Sequence, residues 1–206
     1  MYISLQYLIQ KYDLCISGII HIGAHLCEEK LSYNKSDIAD IIWIEGNPEI
    51  YSKAVSKYPS EKIYNIVLSE SDSKESDFYI CNNSQCSSLL KLNLHKRYFP
   101  NIKQTNVIKT ETSSLESFLK TYKIDVLNYN FLNLDTQGTE LQILKGLNDK
   151  IQFIDYIYTE VNTDELYTNC SKLIEIDTYL QKYNFKRVET YLTSQKFGDA
   201  FYVREK

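Results

Sequence analysis

Few residues in this chain interrupt a fold. Three prolines and six glycines in 206 residues leave little room for long flexible linkers. Five cysteines (Cys15, Cys27, Cys81, Cys86 and Cys170) form no Cys-x-x-Cys pair, and their number is odd. That usage suits reduced, mostly buried thiols better than a disulfide framework. No segment is apolar for long enough to cross a bilayer. The N-terminal residues mix Gln6, Gln10, Lys11 and Asp13 among apolar ones, unlike the unbroken core of a signal peptide. We therefore expect a cytoplasmic protein without a membrane partner. Positive charge is also short: 23 Lys and Arg against 27 Asp and Glu give a net charge of -4. A nucleic-acid binder usually carries a basic footprint, so none is expected as a partner. There are no internal repeats and no low-complexity tract.

What is present is an ordinary globular composition, 43% hydrophobic and 24% charged, with length enough for one well-filled domain over 1–206. Leu5, Leu8, Ile9 and Tyr12 have helical spacing, which predicts a helix within 1–17 packing on a sheet. Strands follow at about 18–22, 41–45 and 62–68, separated by helical patterns at 26–36 and 48–57, with Pro48 in a first helical turn. Strand alternating with helix predicts a mostly parallel sheet with helices on both faces. Residues 77–81 and 106–110 read as further strands, and Ser113-Ser-Leu-Glu116 has capping-box spacing ahead of a helix to about Tyr122. The stretch 82–104 is a candidate lid or acceptor loop. Strand 131–135, helix 138–147, strand 154–161, helix 171–183 and an antiparallel pair at 185–191 and 198–204 complete an α/β, Rossmann-like architecture.

Chemistry gathers where strands end. Phe131-Leu-Asn-Leu-Asp135-Thr-Gln-Gly138-Thr-Glu140 is a short apolar strand that ends in an acid, turns on a glycine and enters a helix. Open α/β sheets keep their ligands at such carboxyl ends. Ile19-Ile-His21-Ile-Gly23-Ala24-His25 makes a second transition, and Ile41-Ile-Trp43-Ile ends in Glu45. Three such clusters suggest a nucleoside-bearing cofactor lying across the sheet, with S-adenosylmethionine the fitting choice. Glu45 would accept hydrogen bonds from both ribose hydroxyls, or else cap the next helix. Gly23-Ala24 would let the cofactor approach the backbone. Asp135 would face the methionine ammonium or the acceptor, or cap helix 138–147. Glu160 is the candidate general base, with a plain salt bridge as its alternative. Asn162, Glu165 and Tyr167 follow on the adjoining loop. His21 and His25 straddle a strand end and a turn, so neither their spacing nor the hardness of Mg²⁺ favours a metal site.

At these residues the chain resembles the FkbM-type methyltransferases, a class I S-adenosylmethionine-dependent family. The similar segments are His21-Ile-Gly-Ala-His25 with Glu28-Glu29, and Trp43-Ile-Glu45-Gly-Asn47-Pro48-Glu49. Val67-Leu68-Ser69 with Asp72, Ser87-Ser88-Leu89, Leu132 to Leu141 and Thr159-Glu160-Val161 continue in register. The resemblance implies S-adenosylmethionine as cofactor and methyl transfer, usually to a hydroxyl on a sugar or other small metabolite. It also implies cofactor contacts from Gly23, Ala24, His25, Glu28, Glu45, Asn47 and Asp135. Leu68, Ser69 and Asp72 would lie near the adenine, and Ser88 near the site. Two positions depart from the family pattern: His21 stands where an acid is common, and Cys27 where the glycine-rich turn often ends in glycine.

The chemistry expected is in-line attack of an acceptor hydroxyl on the methyl, with Glu160 or Asp135 receiving the proton. A nicotinamide oxidoreductase would need Gly-x-Gly-x-x-Gly after the first strand, and the later glycines are missing. A non-catalytic, ligand-binding descendant of the fold is the other alternative, motivated by His21 and Cys27. The acceptor itself is not legible in the sequence.

Overall fold

The structure is a computed structural model that describes residues 1–72 and 75–205. Its strands are β1 (Ile19–Ile22), β2 (Ile41–Glu45), β3 (Lys62–Asn65), β4 (Val67–Ser69), β5 (Glu75–Cys81), β6 (Gln104–Ser114), β7 (Phe131–Leu134), β8 (Tyr156–Asn162), β9 (Phe185–Leu192) and β10 (Phe197–Arg204). The helices are α1 (Leu5–Tyr12), α2 (Lys30–Lys35), α3 (Pro48–Lys57), α4 (His95–Tyr98), α5 (Leu115–Thr121), α6 (Glu140–Lys145) and α7 (Leu173–Gln181). Seven strands form one sheet in the order β3-β2-β1-β7-β8-β10-β9. Pairing is parallel from β3 through β8, and β10 runs antiparallel to both of its neighbours. This is the expected mostly parallel architecture with its antiparallel C-terminal pair.

The central strands are buried on both faces, which is why they read as continuous apolar runs. Alternate residues divide between two cores. Ile20, Ile22, Ile42, Ile44, Leu132 and Leu134 pack with residues of α5, α6 and α7. Ile19, Ile41, Trp43 and Phe131 pack on the other face with Leu5 and Leu8 of α1, Tyr33 of α2 and Ala54 of α3. Helices on both faces follow from that division, and α1 covers the sheet as its apolar spacing predicts.

Several elements differ from the sequence expectation. The strand at 62–68 is two: β3 closes the large sheet, while β4 joins β6 and β5 in a separate three-stranded sheet. Helix 26–36 shortens to α2 because His25 (φ 46°) and Cys27 (φ 54°) are left-handed, which a right-handed helix does not admit. Helix 138–147 likewise begins only at Glu140, after Gln137 (φ 60°) and Gly138 (φ 103°). The cap of α5 is Ser114, whose Oγ accepts from Ser117 N at 3.1 Å, rather than Ser113. Segment 82–104 is tied into the fold. Tyr79 and Ser88 form one bridge, Leu92 and Tyr167 another, and α4 follows. Among the described residues no helix is long and apolar enough to cross a membrane.

Candidate active site

Strand order reverses between β1 and β7, which opens a crevice beyond their carboxyl ends. Register then aligns the strand-end residues. Ile22 pairs with Ile44 and with Leu134, and Leu134 with Thr159. One residue further on lie Gly23, Glu45, Asp135 and Glu160, and Glu160 pairs with Asp199 of β10. The site is thus one row across five strands. Gly23 N–H donates to Ile44 O at 2.9 Å and Asp135 N–H to Ile22 O at 2.9 Å, extending the ladder by one rung. At Gly23 (φ +82°) a Cβ would fall 1.8 Å from Asp135 O, so only glycine fits where the strands part.

Two adjoining cavities lie along this row, sharing Gly23, His25, Gln85, Asp135 and Gln137. The smaller, about 60 Å³, has Glu45 with Val67, Leu68, Phe78 and Leu89 on its walls. The larger, about 370 Å³, is lined by Glu28, Glu160, Asp199 and the aromatic residues Phe99, Tyr167 and Phe197.

Glu45 is buried, and its oxygens each take one backbone donor: Oε2 from His25 N at 2.8 Å and Oε1 from Asn47 N at 2.7 Å. Burial raises its pKa, and those two amides pull it back. A carboxylate has further lone pairs, so Glu45 can still accept two hydroxyls from the cavity. Asn47 itself caps α3, its Oδ1 accepting from Glu49 N at 3.1 Å. His25 sits between Glu28 (Nδ1 to Oε1, 2.6 Å) and Ser84 (Nε2 to Oγ, 2.8 Å). Desolvation lowers its pKa, but the carboxylates of Glu28, Glu45 and Asp135 outweigh this and raise it.

The other end of the row is a cluster of acids. Gln137 Nε2 donates to Asp135 Oδ1 at 2.7 Å and to Glu160 Oε2 at 2.9 Å, while its Oε1 accepts from Tyr167 OH at 2.6 Å. Water reaches Asp135 across the cavity, yet protein surrounds it on the other sides. Desolvation, then Asp199 and Glu140, push its pKa up to about 7 against the Gln137 hydrogen bond. Glu160 is raised well above the usual range by desolvation and then by Asp135, Glu140 and Asp199. Tyr158 OH donates to Asp199. Glu140 is fully buried, and its Oε1 accepts from Thr136 N at 2.9 Å and Gly138 N at 3.0 Å. That clasp holds the turn carrying Asp135 and Gln137, so Asp135 does not cap α6.

The remaining sequence expectations divide. Ala24 and Glu28 line the larger cavity and Leu68 the smaller. Ser69, Asp72 and Ser88 lie outside both walls. Asp72 serves the start of α5 instead, accepting from Ser114 N and from Ser117 Oγ, both at 2.6 Å. Ser88 Oγ donates to Gln137 O at 2.9 Å and so buttresses the same turn. Sequence reasoning missed the role of Gln137 as a bridge and of Asp199 as a neighbour of Glu160; neither has a local signal. Among the described residues no group of three or more His, Cys, Asp or Glu could hold a metal ion.

The two departures acquire physical explanations. Asn133 Nδ2 donates to Tyr33 OH at 2.6 Å, and Tyr33 OH lies 3.0 Å from His21 Nδ1. With Asn133 donating, Tyr33 OH is free to donate to Nδ1, an arrangement that would put the imidazole proton on Nε2. Burial lowers the His21 pKa and keeps the ring neutral. Cys27 holds the left-handed conformation natural to glycine, and its buried thiol, pushed up to about 12, fills the core behind the turn.

The sheet order, the single reversed strand and the strand-end row define a Rossmann-like class I methyltransferase fold. Solved structures that share it include two methyltransferases. One is magnesium protoporphyrin IX methyltransferase (ChlM) from Synechocystis PCC 6803 with bound SAM, 10% identical, with a TM-score of 0.51 over 97% of this chain and 76% of that one. The other is the methyltransferase domain of bacterial CtHen1-C, 7% identical, with a TM-score of 0.51 over 97% and 94%. No curated protein matches the chain in sequence. The sequence pattern of the methyltransferase FkbM domain matches residues 21–187, and the chain belongs to that family. It is an S-adenosylmethionine-dependent methyltransferase. The site suits that cofactor: Glu45 has open lone pairs for a diol, and the smaller cavity has an apolar wall for a base.

Proposed function

We propose that the protein methylates a hydroxyl oxygen on a sugar or other small metabolite. The cofactor supplies an activated methyl group on a positively charged sulfur. Glu45 would hold the ribose hydroxyls, with Gly23, Ala24, His25 and Glu28 shaping the surrounding wall and Asn47, outside both cavities, positioning Glu45 through its N–H. Asp135 would meet the methionine portion or the acceptor. Glu160 would hydrogen-bond the reacting hydroxyl and take its proton as transfer proceeds. The observation that carries this reading is the Asp135–Gln137–Glu160 bridge, which holds two carboxyls of raised proton affinity on one cavity wall. A carboxyl with a pKa near the working pH is a better base than an ordinary one. We read 1–206 as one domain, with 82–104 as its lid or acceptor loop, since Ser84 of that segment reaches His25 across the smaller cavity. Five free cysteines fit a reducing cytoplasm.

Calorimetric titration with S-adenosylhomocysteine, set against NADH, is the direct test. Saturable binding of the first alone is expected, followed by radiolabelled methyl transfer into a metabolite extract. Failure to bind S-adenosylhomocysteine would overturn the proposal, and tight binding without transfer to any metabolite would favour a non-catalytic role.

A further inference from the structure

The strand ladder carries the larger cavity outward in tiers. Alternate residues of a strand share a face, so Asn162 projects to the same side as Glu160, while Ile157 and Val161 turn into the opposite core. Across the ladder Glu160 pairs with Asp199, and Asn162 pairs with Phe197. Two residues of strand separate these tiers by about 7 Å. The inner tier is acidic; the outer one is an amide beside a phenyl ring.

Segment 82–104 completes the outer tier. The His95 ring lies 4.8 Å from Phe99 and 5.5 Å from Tyr167, and Phe99 lies 6.1 Å from Phe197. His95 and Asn162 both line the cavity and are both buried, 6% and 1% exposed. His95 Nδ1 and Asn162 Nδ2 have no hydrogen-bond partner in the protein. Leaving such groups unmet is costly, and both belong to residues that line this cavity, so a ligand oxygen entering beside them would supply the missing partner. Burial lowers the His95 pKa, so its ring is neutral and offers one donor and one acceptor. Among the described residues no lysine or arginine side chain lines this cavity, whereas Glu28, Glu29, Asp135, Glu160 and Asp199 do. The Met1 amino group on the same wall is 3.6 Å from Glu29 Oε1.

We infer that Asn162, His95, Phe99 and Phe197 form an acceptor subsite for an uncharged hydroxylated ring. Asn162 and His95 hydrogen-bond its hydroxyls, the phenyl rings meet its C–H face, and an anionic acceptor would meet no lysine or arginine side chain among the described residues of the wall. The inference rests on Glu160 facing the reacting hydroxyl: one pyranose ring bridges the step from the inner tier to the outer.

The test uses the full chain saturated with S-adenosylhomocysteine, whose own binding heat reports the cofactor site separately from the acceptor subsite. Absence of that heat counts against the methyltransferase reading itself. The loaded protein is then titrated with methyl glucopyranoside, methyl rhamnopyranoside, glucuronate and glucose 6-phosphate. A neutral glycoside should bind at least tenfold more tightly than either anion. Asn162→Ala and His95→Phe, the second preserving ring packing, should each weaken that binding about tenfold, with S-adenosylhomocysteine affinity unchanged. Loaded protein that binds none of the glycosides, binds the anions equally well, or is indifferent to both substitutions would overturn the subsite.

Discussion

Glu45 and Glu160 stand at two places in one row of strand ends, both within protein, yet their surroundings differ. Glu45 is held by two backbone amides and has no acid bonded to it. Glu160 has one amide donor, shared with Asp135, and faces three other carboxyls. Amide donors stabilise an anion that must accept hydrogen bonds; crowded acids destabilise an anion and raise its appetite for a proton. On the proposed reading, the same side chain would serve as a holder at one strand end and as a base at another because of its neighbours.

The comparison breaks most sharply at the basic end. Glu160→Gln keeps the shape and the link to Gln137 but cannot accept a proton. Methyl transfer should fall by about 10²- to 10⁴-fold with S-adenosylhomocysteine affinity nearly intact; a variant retaining wild-type turnover would show that Glu160 is not the base. Glu45→Ala should do the reverse. Losing hydrogen bonds to a charged acceptor costs about 2–3 kcal/mol, so calorimetry should read S-adenosylhomocysteine affinity roughly 30- to 150-fold weaker. Rate at saturating cofactor should hardly change.

A smaller effect sharpens the contrast through pH. Asp135 is raised to about 7 and Glu160 is raised well above its usual range, so activity should climb as pH rises into the range where these carboxyls lose their protons. Stability should move the other way. Folded-state pKa values above the unfolded ones mean that the folded protein binds more protons between about 4 and 7. The stability these groups contribute is complete below the unfolded value and lost as pH rises through the folded one. Melting temperature from this source should therefore decline from pH 5 to pH 8. Gln137→Leu removes the donor that favours both anions, so the rise in activity should move to higher pH and the melting decline should steepen. An unmoved pH profile in that variant would show that the amide bridge does not tune the pair.

Much of this arrangement was legible from residue order. Ile19–Ile22, Ile41–Glu45 and Phe131–Leu134 are apolar runs too short for helices, separated by helical patterns, which is the signature of a sheet covered on both faces. The acids closing or following those strands pointed to the ligand edge. Less legible were turns formed by ordinary side chains in left-handed backbone, as at His25, Cys27 and Gln137. Nothing in the identity of those residues demands that conformation, so both adjoining helices looked longer than they are. The break at Ile66 was equally hidden, because β4 leaves the main sheet to pair with β6, more than forty residues further along the chain.

By itself the sequence determined the strands, their order of appearance and the acids at their ends, since those depend on local pattern and on burial of both faces. Only the tertiary structure decided which acids meet. Glu160 acquires Asp199 through antiparallel register with β10, and Asp135 acquires Glu160 through an amide held in a left-handed turn. Proton affinity depends on distance and dielectric surroundings, and neither exists until the strands have paired.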